Sequence, residues 1–180
     1  MRLAEMQRAL RDVLRKSGPP PSSDDPELST YLREVTSSGR VEILTQIMQS
    51  WRTYDVKRAC PLTAAALQAR GSWESTLEYF NAEPHSPFVE RLADRFLDVA
   101  SEHVDPLVAS VARFERAYLA ALRGTGERFV VRWDRDPAAV LSRLAMSMPL
   151  DDLDADSTYL TIVGRDLPDL FEIRSVAPSD

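Results

Sequence analysis

The hydrophobic period of this chain changes near Gly124, and that change limits what the chain can fold into. Before it, apolar residues recur at three- and four-residue spacing, the signature of one face of an α-helix. After it, they alternate through Arg128–Asp134, Ser157–Val163 and Asp169–Val176, the two-residue period of a half-buried strand. One helical pattern stands between the first two of these segments. The reading is an α+β chain: an N-terminal all-helical bundle over residues 1–124, then a small β-α-β-β domain over residues 125–180.

Prolines and glycines punctuate the helical part. Leu3, Met6, Leu10, Val13 and Leu14 predict a first helix over about Leu3–Lys16, ended by Ser17, Gly18 and three prolines that cannot stay helical. Residues 17–26 (SGPPPSSDDP) form the clearest linker. Asp25-Pro26 opens a second helix as cap and first residue, with Leu28, Tyr31, Leu32 and Val35 on one side. A third, about Val41–Arg58, carries Val41, Leu44, Ile47, Met48, Trp51 and Tyr54 on a stripe expected to face the core. Pro61 opens a fourth that stops at Gly71. Ser72 can cap a fifth bearing Trp73, Leu77 and Phe80, and Ser86-Pro87 a sixth bearing Leu92 and Phe96. Asp105-Pro106 repeats the device for the longest helix, about residues 106–123, with Leu107, Val111, Phe114, Tyr118, Leu119 and Leu122 inward. Beyond Gly124, Asp136-Pro137 starts the interposed helix, and Gly164–Pro168 joins the last two strands as a hairpin.

Composition removes several classes. With 180 residues and 44% hydrophobic against 28% charged, the chain can bury a sizeable core. No run approaches the roughly 18 apolar residues a membrane helix needs, and MRLAEMQRALRDVLRK lacks the apolar block of a secretory signal. One cysteine, Cys60, excludes an internal disulfide framework and fits a reducing, cytoplasmic setting. A formal charge of −6 argues against nucleic acid, because that binding neutralises phosphates.

Catalytic equipment is sparse. His85 and His103 have no acidic or histidine neighbour one helical turn away, so no metal site is expected. Cys60 has no evident base. The acidic run Asp151–Asp156 lacks the glycine and terminal glutamate of a calcium loop. The tryptophans Trp51, Trp73 and Trp133 are assigned to the core. Glu115 lies beside the inward stripe of the longest helix. A carboxylate there is expected to form a structural ion pair with an arginine such as Arg52 or Arg58, since a lone buried charge is expensive; the competing role is that of an acid–base group in an independent enzyme.

Several blocks in the middle of the chain carry a family resemblance. They are Trp51-Arg52, Cys60-Pro61-Leu62-Thr63-Ala64-Ala65-Ala66-Leu67, Trp73 through Phe80, Glu90–Leu97 and Val111–Ala117. From about Leu44 to Leu122 the chain resembles the HvfC-like family, whose members carry a DNA-binding label and accompany multinuclear non-haem iron oxidases that modify ribosomally made peptides. The β-α-β-β tail looks like the small C-terminal domain of the partner subunits in methanobactin-type pathways. The resemblance implies a heterodimer in which the iron and the chemistry belong to the oxidase, with no cofactor in this chain.

The expectation is therefore a non-catalytic accessory subunit that recruits the leader of a precursor peptide. The peptide would add as a strand to the small sheet, along Tyr159, Thr161 and Val163 or along Phe171, Ile173 and Arg174, with Arg165 and Arg174 meeting acidic leader residues. The alternative is a small DNA-binding regulator using the basic first helix, with Arg2, Arg8, Arg11, Arg15 and Lys16.

Overall fold

The computed structural model describes residues 26–82, 89–124, 127–155 and 157–176, together with Ala4, Met6, Gln7 and Ala9, which are helical. The rest of the first helix, the linker residues 17–25, and His85 with the Ser86-Pro87 start lie outside the described residues. Among the described residues from Pro26 onward, seven helices and a three-stranded antiparallel sheet follow one another as α1 (Pro26–Ser37), α2 (Gly39–Ala59), α3 (Pro61–Ala69), α4 (Trp73–Ala82), α5 (Val89–Ser101), α6 (Pro106–Leu122), β1 (Phe129–Trp133), α7 (Pro137–Ala145), β2 (Thr158–Val163) and β3 (Phe171–Val176). The α+β class read from the change of period holds. No helix among the described residues is long and apolar enough to cross a membrane.

The boundaries obey local chemistry. The Asp105 carboxylate accepts a hydrogen bond from the Leu107 amide at 2.9 Å, and the Asp136 carboxylate accepts one from Ala138 at 2.9 Å. Each satisfies an orphan donor of the first turn, with proline at the first helical position. At the end of α3, Gly71 takes φ +65°. Its amide donates to Gln68, while Ser72 donates to Leu67 at 2.9 Å, the paired bonds of a left-handed C-terminal stop.

α6 is the axis of the molecule. Its first two turns, Leu107 to Ala112, are buried on every side, as befits a helix that is apolar all round. α3 and α5 pack on it from the helical side, β1 and β2 from the other. Val131, Trp133 and Val163 of the sheet and Val140 and Leu144 of α7 join Leu67, Phe80, Phe96 and Phe114 in one continuous buried cluster. The sheet order is β1-β2-β3, with Trp133 opposite Tyr159 and Thr161 opposite both Val131 and Ile173.

α2 departs from expectation. Most of the stripe assigned to the core faces outward: Leu44 is 49% exposed, Ile47 47%, Trp51 63% and Tyr54 57%, with Ile43 beside them at 57%, while Val41 and Met48 are half-buried. The side α2 buries carries Val56. Trp51 is thus a surface residue, while Trp73 and Trp133 are buried as expected. Leu122, also expected inside, is exposed at the end of α6.

Candidate functional site: the sheet edges and the Glu115 clamp

Glu115 is buried, and its partners are backbone amides. Its two carboxylate oxygens accept from Leu62 at 2.9 Å and from Thr63 at 2.8 Å. The expected ion pair with Arg52 is corrected: among the described residues the partners of this carboxylate are the Leu62 and Thr63 amides and no arginine, and Arg52 sits on α2. The physical reason lies at the start of α3. Its N-cap is Cys60, which makes no side-chain capping bond, so amides of the first turn need another acceptor. Glu115 reaches across from α6 and supplies it, favoured by the positive end of the helix dipole. Burial pushes the Glu115 carboxyl above its ordinary range, and hydrogen bonds from Thr63 and Leu62 pull it part of the way back. Cys60 is buried too, its thiol 3.9 Å from the Ala93 carbonyl, and burial raises its pKa strongly, with the Glu115 and Asp94 carboxylates adding to the shift. A thiol held protonated is a poor nucleophile.

His103 serves a turn: its Nδ1 accepts from the Asp105 amide at 3.0 Å, just before α6. The acidic run near the sheet is used in surface pairs. Asp151 meets Arg70, and Asp152 meets Arg143. Among the described residues, no group of three or more His, Cys, Asp or Glu could hold a metal ion.

The residues expected to bind peptide divide by strand. Tyr159, Thr161 and Val163 belong to β2, the central strand, which is hydrogen-bonded to β1 on one side and β3 on the other. No backbone edge is open there for an added strand, so their part of the strand-addition expectation is corrected. The hydrophobic alternation of a three-strand segment shows which side chains share a face; it carries no information about strand order. Phe171, Ile173 and Arg174 lie on β3, an edge strand among the described residues. Phe171 anchors it: the ring meets Phe114 edge-on at 5.3 Å and Tyr118 at 6.4 Å, both on α6. Ile173 is half-buried, and Arg174 to Val176 are exposed. The Arg174 guanidinium pairs with Glu172 two residues away. Arg165 stands exposed in the hairpin turn, its guanidinium beside Gly124.

The opposite edge, β1, is partly closed. Ser110 of α6 donates its hydroxyl to the Arg132 carbonyl at 2.9 Å. Beside it runs a groove lined by Arg113, Arg116 and Arg123 of α6 and its C-cap, with Phe129 to Val131 of β1. Two of these arginines are already paired, Arg116 with Asp98 at 2.7 Å and Arg123 with Asp94 at 2.8 Å. Arg113 donates to the Ser101 carbonyl at 2.7 Å. This groove was not read from the sequence, although three arginines at 113, 116 and 123, off the apolar stripe, were its visible trace.

No family model matches the chain, and no curated protein matches it in sequence.

Proposed function

We propose that this chain is a non-catalytic accessory subunit acting in the cytoplasm, which recruits the leader of a ribosomally made precursor peptide to a multinuclear iron oxidase. In this reading the helical part is a bundle that packs on the oxidase, the iron is the oxidase's own, and the small β-α-β-β domain holds the peptide. The oxidase, the precursor and the kinship to the HvfC-like family all rest on the resemblance of the middle of the chain.

The observation that supports peptide capture is the outer edge of β3. No strand of the described residues pairs with it, and a row of open backbone donors and acceptors is a template for an incoming strand. Phe171 packs the strand against Phe114 and Tyr118 of α6, which favours a preformed edge. In this reading Ile173, Arg174 and Arg165 select the leader, the two arginines favouring acidic residues, with Arg174 exchanging its exposed pair with Glu172 for a carboxylate of the peptide. Tyr159, Thr161 and Val163 support this edge from the middle of the sheet.

Co-expression with an iron oxidase and a short precursor peptide encoded beside the chain tests the reading. The three should co-purify, and addition of the peptide to the isolated chain should slow amide hydrogen exchange along residues 171–174. Absence of co-purification removes the oxidase; unchanged exchange along β3 removes the peptide edge.

A further inference from the structure

The apolar face of α2 has no counterpart among the described residues. We propose that it seats an amphipathic helix of another protein, one whose apolar seam carries a carboxylate at each end. This deepens the accessory-subunit reading by naming the docking face and the chemistry of what docks; it does not depend on the sheet edge.

Leu44, Ile47, Trp51 and Tyr54 follow one another at spacings of three, four and three, the seam that one helix offers to another. All four are exposed. Beside the seam is an open groove of about 610 Å³ lined by Ile43, Gln46, Ile47, Ser50, Trp51 and Tyr54. The Trp51 and Tyr54 rings meet edge-on at 6.2 Å, forming one wall. An aromatic side chain presents about 150–250 Å², so Trp51 and Tyr54, each more than half exposed, together offer roughly 200–300 Å², to which the three aliphatic residues add. A standard interface takes about 800 Å² from each partner, so this face would be the apolar centre of a contact and not the whole of it. Scattered apolar residues on a surface are ordinary, whereas a contiguous apolar patch of a few hundred Å² is often functional.

Charge decides what fills it. From Ile43 to Tyr54 the only charged residue is Arg52, which is half-buried and has a partner of its own. The same line of residues continues to Arg40 at one end and Arg58 at the other, at spacings of four from the seam. Both are exposed, and neither has an ion pair among the described residues. They bracket the seam about 27 Å apart, at 1.5 Å per residue. A second copy of this chain fits poorly. Antiparallel pairing that matches Leu44 with Tyr54 and Ile47 with Trp51 sets Arg40 against Arg58, and parallel pairing sets each arginine against itself. Like charges facing across a contact are repulsive. A helix ending its seam in carboxylates meets both arginines favourably.

The probe is a fluorescent synthetic helix of three heptads, with leucine along the seam and glutamate at both ends, beside a twin with lysine at the ends. Titrated with the full chain, the glutamate helix should bind about tenfold more tightly than its twin. The double variant Arg40→Glu with Arg58→Glu should invert that preference, and Ile47→Asp, at an exposed position that leaves the core intact, should abolish both. Equal binding of the two helices, binding by neither, or full binding to Ile47→Asp overturns the proposal. So does a dimer of the chain in sedimentation that Ile47→Asp dissociates, since the occupant would then be a second copy. Exchange along β3 on peptide addition should be the same in Ile47→Asp as in the unaltered chain, so loss of helix docking sinks this inference and leaves the peptide edge standing.

Discussion

Glu115 illustrates how one side chain can complete a helix that its own sequence leaves unfinished. Replacing it with alanine leaves the Leu62 and Thr63 amides without an acceptor inside the core. Each buried orphan costs about 1–3 kcal/mol, so Glu115→Ala should lose roughly 3 kcal/mol in chemical denaturation. The acidity of the group sets a second expectation. Its folded pKa lies above the unfolded one because burial dominates. The folded state therefore holds the proton more tightly, and the contribution of this group is full below the unfolded pKa and is lost as pH rises through the folded pKa. Glu115→Gln cannot titrate. Urea unfolding at several pH values from acid to neutral should show the unaltered chain losing stability relative to Glu115→Gln as pH increases. The reverse slope would mean that the amide bonds and helix dipole outweigh burial. The sequence placed Glu115 correctly beside the buried stripe and supplied the wrong partner. A carboxylate near the core advertises only that it needs hydrogen-bond donors, and arginine is the donor that residue types make visible. Backbone amides at a helix start are invisible until the helix is placed.

At the scale of elements, punctuation was legible and orientation was not. Proline after a capping residue marked the starts of α6 and α7, and Gly71 marked the end of α3, because those requirements are local. Two glycines separate the local terms cleanly. A Cβ at Gly71 would meet nothing within 4 Å, yet the residue holds φ +65°. Gly71→Ala should therefore cost about 1–2 kcal/mol from backbone conformation alone. Gly39 opens α2, has no positive φ and also has open space around it. Gly39→Ala should gain about 0.5 kcal/mol by restricting the unfolded chain. Thermal unfolding of the pair, read side by side, should move in opposite directions; shifts of the same sign would place the α3 stop in a different geometry. The misread element was α2. Periodicity tells which residues share a face, but a stripe meant for another molecule has the same period as one meant for the core. In α2 the buried side holds Val56 while the richer stripe looks out, and nothing within residues 39–59 distinguishes the two.

For the whole molecule, the change of period at Gly124 separates two kinds of secondary structure that share one interior. Trp133, Val131 and Val163 sit in the same buried cluster as Phe80 and Phe96. Phe114 is the joint: its ring contacts Trp133 at 6.0 Å and Phe171 at 5.3 Å, and stacks on Tyr118 at 6.0 Å. A shared interior couples the parts energetically, because neither can unfold without exposing the other's apolar surface. Helical circular dichroism and exchange along β2 should therefore report one common unfolding transition. Phe114→Ala should lower both by the same amount, about 3–5 kcal/mol for a buried aromatic ring. Phe171→Ala, at a half-buried ring on the edge strand, should cost less and act first on β3. Its cost should appear as faster exchange along residues 171–176 before any global loss. If Phe114→Ala shifted the helical signal while β2 kept its stability, the sheet would be an independent unit. The peptide edge would then be carried on a domain free to move against α6, and preorganisation of β3 by its aromatic anchor would no longer account for a rigid template.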